Sequence, residues 1–245
     1  MIATETTHRI IANVFGATGA VGKAVVHHLL HNSYENVDIT VRTIGRRPLD
    51  KEDLKPFEES GKLEQIVIDM DGMEQDTTLL NRMTNDADTM TFCCLGTTRS
   101  AAGSADQFRR VDLTYVESAA KVAKQCGSRV FGLVSAQGAR ASIMSSDMKL
   151  FHGLLYMKTK GMAEERVRDQ GFEYTLIMRP GLIDRKEDAR GGEKFAKRIM
   201  SHVSTDAIAS VMVRKAIDAI TESTRGVEVL EMKDILTAAH TCSKA

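Results

Sequence analysis

Phe15-Gly16-Ala17-Thr18-Gly19-Ala20-Val21-Gly22 joins an apolar, β-rich run at 10–15 to a helical pattern at 21–30. In a strand–turn–helix unit each of its three glycines has a separate task. The first permits the tight turn, the second lets backbone approach a pyrophosphate, and the third permits close packing of helix on strand. The diphosphate then meets the positive end of the helix. The spacing is G-x-x-G-x-x-G rather than G-x-G-x-x-G, so the flanking strand and helix carry the reading as much as the glycines. A phosphate loop of the nucleotide-triphosphatase type is the rival, because Gly22-Lys23 falls inside the stretch. It fails on two residues. Ala24 stands where that loop needs Ser or Thr for magnesium, and Ala17 where it needs its first glycine.

Outward from this turn, apolar runs alternate with helical patterns to the end of the chain. Strands are expected at 37–44, 63–68, 89–95, 130–134 and 174–178, with a short late one near 227–230. Helices are expected at about 73–83, 105–125, 156–168 and 205–222. Continuous apolar strands such as Thr91-Phe92-Cys93-Cys94-Leu95 suit a sheet buried on both sides. The expectation is an α/β fold, a Rossmann-type doubly wound parallel sheet with helices on both faces. The 245 residues suit one domain, with a small substrate-side elaboration at about 182–245. Residues 140–150 and 184–194 read as loops.

The second strand ends in Thr43-Ile44-Gly45-Arg46-Arg47. A site selecting NAD would carry Asp or Glu there for the ribose 2′-hydroxyl. Arg46 and Arg47 instead suit a 2′-phosphate, through charge and forked donors, so NADP(H) is the expected cofactor. Asp69, closing the third strand, is placed to accept from the adenine amino group, with Asp71 close by.

Tyr156 and Lys160 lie four residues apart in a helical segment, hence on one face. An ammonium beside a phenol favours the phenolate; lowering the tyrosine pKa by three units would take roughly 4 kcal/mol. The tyrosine could then give a proton to a carbonyl oxygen, or take one from an alcohol in reverse. Ser135, at the end of the fifth strand, can hydrogen-bond the substrate oxygen at the edge where such sheets bind ligands.

Other features read as structural. His27, His28 and His31 lack acidic or cysteine companions and suit surface or packing roles, so no metal is expected. Glu164-Glu165-Arg166 reads as a solvated helix face, and the thirteen methionines as core filling. Cys93, Cys94, Cys126 and Cys242 show no paired spacing and suit reduced thiols. The 33 basic and 33 acidic residues cancel, which argues against a general nucleic-acid or anionic-membrane binder. No run of about eighteen apolar residues offers a membrane span. The N-terminus lacks a secretory pattern, which points to the cytoplasm, while Ser243-Lys244-Ala245 faintly resembles a peroxisomal address.

Phe92-Cys93-Cys94-Leu95-Gly96-Thr97-Thr98-Arg99 resembles the Tat-interactive oxidoreductase family, atypical short-chain dehydrogenase/reductases. Gly16-Ala17-Thr18-Gly19, Ile44-Gly45-Arg46-Arg47, Val111-Asp112, Tyr156-x-x-x-Lys160-Gly161 and Arg179-Pro180-Gly181 follow in family order, over roughly residues 10 to 200. The resemblance implies an NADP(H)-bound Rossmann domain. Gly16, Thr18, Gly19, Ala20, Val21 and Gly22 would hold the diphosphate, and Leu95, Gly96 and Thr97 would pass beside the cofactor. Lys160 would hold the ribose, with Pro180, Leu182 and Ile183 near the nicotinamide. Ser135, Tyr156 and Lys160 match the family's catalytic pattern. The twenty-one positions from Ser135 to Tyr156 exceed the usual separation, which an insertion within 140–150 explains. Two functions follow. One is a reductase of small carbonyls, or the reverse alcohol dehydrogenase. The other is a non-catalytic NADP(H) sensor whose cofactor occupancy changes affinity for a partner protein. Neither substrate nor oligomeric state is legible.

Overall fold

The computed structural model describes residues 7–50, 52–145, 152–184 and 202–242. The loop readings at 146–150 and 185–194 and the tail 243–245 lie outside them.

The glycine turn follows β1 (His8–Phe15) and opens α1 (Ala20–His31). Next come β2 (Val37–Gly45), α2 (Lys55–Glu59), β3 (Leu63–Val67), α3 (Thr77–Met83) and β4 (Asp88–Cys93). A longer helical run then comprises α4 (Arg99–Ala102), α5 (Ala105–Arg109), a π turn (Arg110–Thr114) and α6 (Tyr115–Gln125). After it lie β5 (Val130–Val134), α7 (His152–Arg168), β6 (Tyr174–Arg179), β7 (Leu182–Asp184), β8 (His202–Ser204), α8 (Thr205–Thr221), β9 (Gly226–Glu231) and α9 (Met232–Cys242).

Seven strands form one sheet in the order β3-β2-β1-β4-β5-β6-β9, every neighbouring pair parallel. Alternate residues face opposite sides, and both sides are covered. Val14, Val41, Phe92 and Leu176 pack towards α1 and α8, through side chains such as Val25 and Met212. Phe15, Ile44, Cys93 and Phe131 pack towards α3, α6 and α7, through Leu79, Val122 and Val167. Cys93 and Cys94 thus serve opposite faces, and all four cysteines are free thiols. The chain reverses its direction of travel across the sheet between β1 and β4, which opens a crevice at their C-terminal ends.

Helices α2, α4 and α9 had no counterpart in the sequence reading, and α7 begins at His152 rather than Tyr156. Two further differences have a readable cause. The helix expected from about residue 73 begins only at Thr77, because the Asp76 side chain accepts from Leu79 N–H at 3.0 Å and caps it there. A short 3₁₀ turn at Met70–Gly72 precedes it. The parallel pair β7–β8, three residues each, was not anticipated, since so short a run carries no readable alternation. Among the described residues no helix is long and apolar enough to cross a membrane, and no group of histidine, cysteine and acidic side chains could hold a metal. His28 binds Asp206 at 2.9 Å, while His27 and His31 stack at 4.1 Å between ring centroids.

Candidate active site

A cleft of about 560 Å³ occupies the crevice. Its floor is the turn Gly16–Gly19, and its walls come from the ends of β2 and β4 and from the α4–α6 run. Gly16 has φ +77°, and a Cβ there would lie 2.8 Å from the Cys94 carbonyl. A Cβ on Gly22 would lie 2.2 Å from the Gly16 oxygen. The turn therefore closes only with hydrogen at both positions. Helix α1 has no side-chain cap and no acid in its first turn, so its leading N–H groups remain available to an anion.

Arg46 and Arg47 sit exposed at the rim, and the lining contains no acidic side chain among the described residues. Asp69 is placed differently from the adenine contact expected of it. It is exposed, outside the cleft lining, and accepts from Asp71 N–H at 3.0 Å, whereas its neighbour Met70 lines the cleft. Asp71 in turn accepts from Tyr115 Oη at 2.6 Å and from Arg110 Nε at 2.8 Å. These two donors, Tyr115 first, hold its carboxyl below the usual range.

At the other end Gly96 abuts a buried ion pair. Lys160 Nζ lies 2.9 Å from Asp112 Oδ1, and a Cβ on Gly96 would stand 3.4 Å from both atoms. Asp112 Oδ2 accepts from Thr97 N–H at 2.8 Å. Asp112 belongs to the π turn, a surplus residue in a helix that re-aims its side chains. Burial opposes the charge on Lys160, but Asp112 outweighs it, with help from Tyr156, and the lysine pKa rises. Tyr156 is partly buried one turn earlier, its ring 5.8 Å from that of Phe108 and 6.5 Å from that of His152.

Ser135 is buried beyond β5, and its hydroxyl donates to Glu164 Oε1 at 2.5 Å. Glu164 is 2% exposed and takes a forked pair from Arg179, Nε at 2.9 Å and Nη2 at 2.6 Å. Arg179 also donates to Glu231 at 2.9 Å. Glu164 is therefore not part of a solvated helix face. The i, i+4 spacing that aligns Tyr156 with Lys160 carries Glu164 to the same side, against the sheet. Glu165 and Arg166 are exposed as expected. Removing one partner strands the other's charge. Glu164→Gln is expected to cost about 3 kcal/mol of unfolding free energy in a urea titration. Pro180 is buried and accepts from Gln137 N–H at 2.9 Å, and Leu182 and Ile183 are partly buried in β7. Ser135, Tyr156, Lys160 and residues 180–183 stand beyond the lined cleft, which ends at Gly96 and Thr97.

The NAD(P)H-binding family matches residues 16–219. Protein HTATIP2 of Rattus norvegicus is 32% identical over 232 residues, covering 91% of this chain and 86% of that protein. The chain belongs to the Tat-interactive family, within the atypical short-chain dehydrogenase/reductase group. Protein FMP52, mitochondrial, of Candida albicans is 35% identical over 193 residues, 76% of this chain and 73% of that one. The oxidoreductase ylbE of Lactococcus lactis shares the fold, with a TM-score of 0.60 at 15% identity over 96% of this chain and 97% of its own.

For a dehydrogenase/reductase of this family the cleft suits the nicotinamide dinucleotide in shape and polarity. Its turn leaves a cradle that any Cβ would fill, and an uncapped helix end faces it. Residue reasoning passed over three contributors. Tyr115 lines the cleft, Asp112 was visible only as half of a two-residue match, and Arg179 only as the start of another.

Proposed function

We propose that the chain is an NADP(H)-dependent reductase of small carbonyl compounds. The observation that supports this most is the wall Gly96–Thr97, shared by the cofactor cleft and by the Asp112–Lys160 pair one helical turn from Tyr156. The cleft and the Asp112–Lys160 pair thus meet at two residues. Backbone N–H groups of the glycine turn, from Gly16 through Gly22, hold the diphosphate. Arg46 and Arg47 hold the 2′-phosphate, Leu95, Gly96 and Thr97 flank the cofactor, and Lys160 orients the ribose. Pro180, Leu182 and Ile183 bound the nicotinamide end. Asp69 stands just outside, buttressing the turn that carries Met70. When bound and reduced, the nicotinamide supplies hydride to the carbonyl carbon.

Tyr156 then gives its proton to the substrate oxygen. Ser135 has one hydroxyl proton, and Glu164 takes it. Its oxygen is left to accept, which makes Tyr156 the donor to a carbonyl. The same bond favours a second reading, a cofactor sensor in which Ser135 is purely structural and a partner protein reads cofactor occupancy.

NADPH consumption over a panel of aldehydes, ketones and quinones decides between them; tight NADPH binding with no turnover supports the sensor. The cofactor assignment has its own test. Replacing Arg46 and Arg47 together by Ala is expected to weaken NADPH by about 10- to 100-fold, with NADH changed less than about twofold, in a calorimetric titration. Equal losses for both would refute the 2′-phosphate role.

A further inference from the structure

We infer that Arg140 is a specificity-determining residue and that the carbonyl substrate carries an anionic group, a carboxylate or a phosphate. The inference deepens the reductase reading above and rests on it. The chain leaving β5 is laid across the substrate side by backbone bonds at both ends. Gln137 N–H donates to Pro180 O at 2.9 Å, which ties the segment to the stretch proposed to bound the nicotinamide. A turn follows, closed by Ala139 N–H on Ala136 O at 3.1 Å, with Gly138 at φ +77°. Arg140 N–H then donates to Met157 O at 3.0 Å, on the turn of α7 that runs from Tyr156 to Lys160. Gly161 makes this close approach possible. A Cβ there would lie 2.3 Å from Ala141 N and from the Arg140 carbonyl carbon, so the loop backbone rests directly on the helix.

Arg140 is thus fixed by its backbone beside the turn that carries Tyr156 and Lys160, and the residue is exposed. Its charge is uncommitted. From Ser135 to Ser145 the chain holds no acidic residue, and the loop's other exposed side chain of hydrogen-bonding length, Gln137, is neutral. The acids that the site does contain are engaged elsewhere. Asp112 faces Lys160 at 2.9 Å, Glu164 takes Arg179 at 2.6 Å, and Asp184, next to the nicotinamide-end residues, lies 3.8 Å from His202. Among the described residues none forms an ion pair with Arg140. A guanidinium takes a carboxylate or a phosphate through two parallel N–H donors. With its backbone already held, Arg140 has only its side chain to order when it grips such a group, which lowers the entropic cost of binding.

The test compares each anion with a neutral partner of like shape, on the full chain with NADPH. For a carboxylate the probes are 4-carboxybenzaldehyde and its methyl ester. For a phosphate they are glyceraldehyde 3-phosphate and glyceraldehyde. In at least one pair kcat/KM for the anion is expected to exceed that for its partner by about tenfold or more, the usual worth of a charge-assisted bond. Which pair shows it tells carboxylate from phosphate. In Arg140→Ala the ratio is expected to fall to within about twofold of unity, through KM rather than kcat, while Arg140→Lys keeps part of it as a point charge without the fork. Circular dichroism checks the fold of both variants.

A ratio near unity for both pairs in the wild-type chain, or one that survives in Arg140→Ala, overturns the inference. A binding measurement separates it from the reductase reading. 4-Carboxybenzyl alcohol and its methyl ester are titrated calorimetrically into the NADPH complex, which can turn over neither. A preference for the anion that Arg140→Ala abolishes, in a chain that reduces none of the aldehydes, refutes the reductase and leaves the anion site standing. Reduction of both members of each pair at equal kcat/KM does the reverse. A chain that neither binds nor reduces any of these compounds overturns the inference.

Discussion

Tyr156→Phe is expected to lower NADPH-dependent turnover by about 100- to 10,000-fold, the usual worth of a positioned proton donor. It should do so without disturbing the fold. The ring packs near Phe108 and His152, contacts that a phenylalanine ring makes equally well. Only the hydroxyl disappears, from a partly exposed position. Stability should therefore stay within about 0.5 kcal/mol of wild type. In the proposed mechanism the Tyr156 hydroxyl serves the substrate oxygen rather than the cofactor, so NADPH affinity should also survive. Steady-state rates on whichever panel compound is consumed, with a binding isotherm on the same preparation, check both halves. Undiminished turnover would remove Tyr156 from the mechanism.

Gly22→Ala is the second change with a large expected effect, and here binding fails rather than chemistry. The new methyl group would stand 2.2 Å from the Gly16 oxygen and 2.8 Å from Ala17 Cα. Both are backbone atoms, with no rotamer to move them aside. Either the turn opens or α1 slides outward, and either displacement moves the N–H groups that face the cleft. Overpacking of this kind costs about 1–3 kcal/mol. NADPH affinity is expected to fall at least about tenfold, which removes about 1.4 kcal/mol of binding free energy. Thermal unfolding with and without NADPH measures both terms. A variant that NADPH stabilises as strongly as wild type would place the diphosphate elsewhere.

The glycine turn and the strands were legible because their signals are local: spacing, apolar runs, a helix following directly. The position of Arg46 and Arg47 at the cleft rim was legible for the same reason, since they follow a strand whose limit could be read. Glu164 was misread because charge next to Arg166 suggests solvent, and its partner Arg179 lies fifteen positions away on another element. Asp112 carries no signal by itself; its role depends on a helix register that shifts within the π turn. Periodicity at 3.6 residues assumes that no such shift occurs. The start of α3 was missed because Asp76 stops the helix by a side-chain bond, whereas the apolar spacing continues through it.

The π turn at Arg110–Thr114 interrupts what is otherwise one helix from Ala105 to Gln125. Such an interruption is a debt carried for the sake of where Asp112 points. Deleting one residue from this stretch would let the helix wind regularly; the turns on either side would keep their faces, and the side chains of the π turn itself, Asp112 among them, would be re-aimed. A library screened for heat resistance alone would therefore be drawn towards this deletion. Its survivors would be sturdier and chemically mute. Among distant descendants of this chain, loss of that single residue would mark the lineages in which the fold outlived its chemistry.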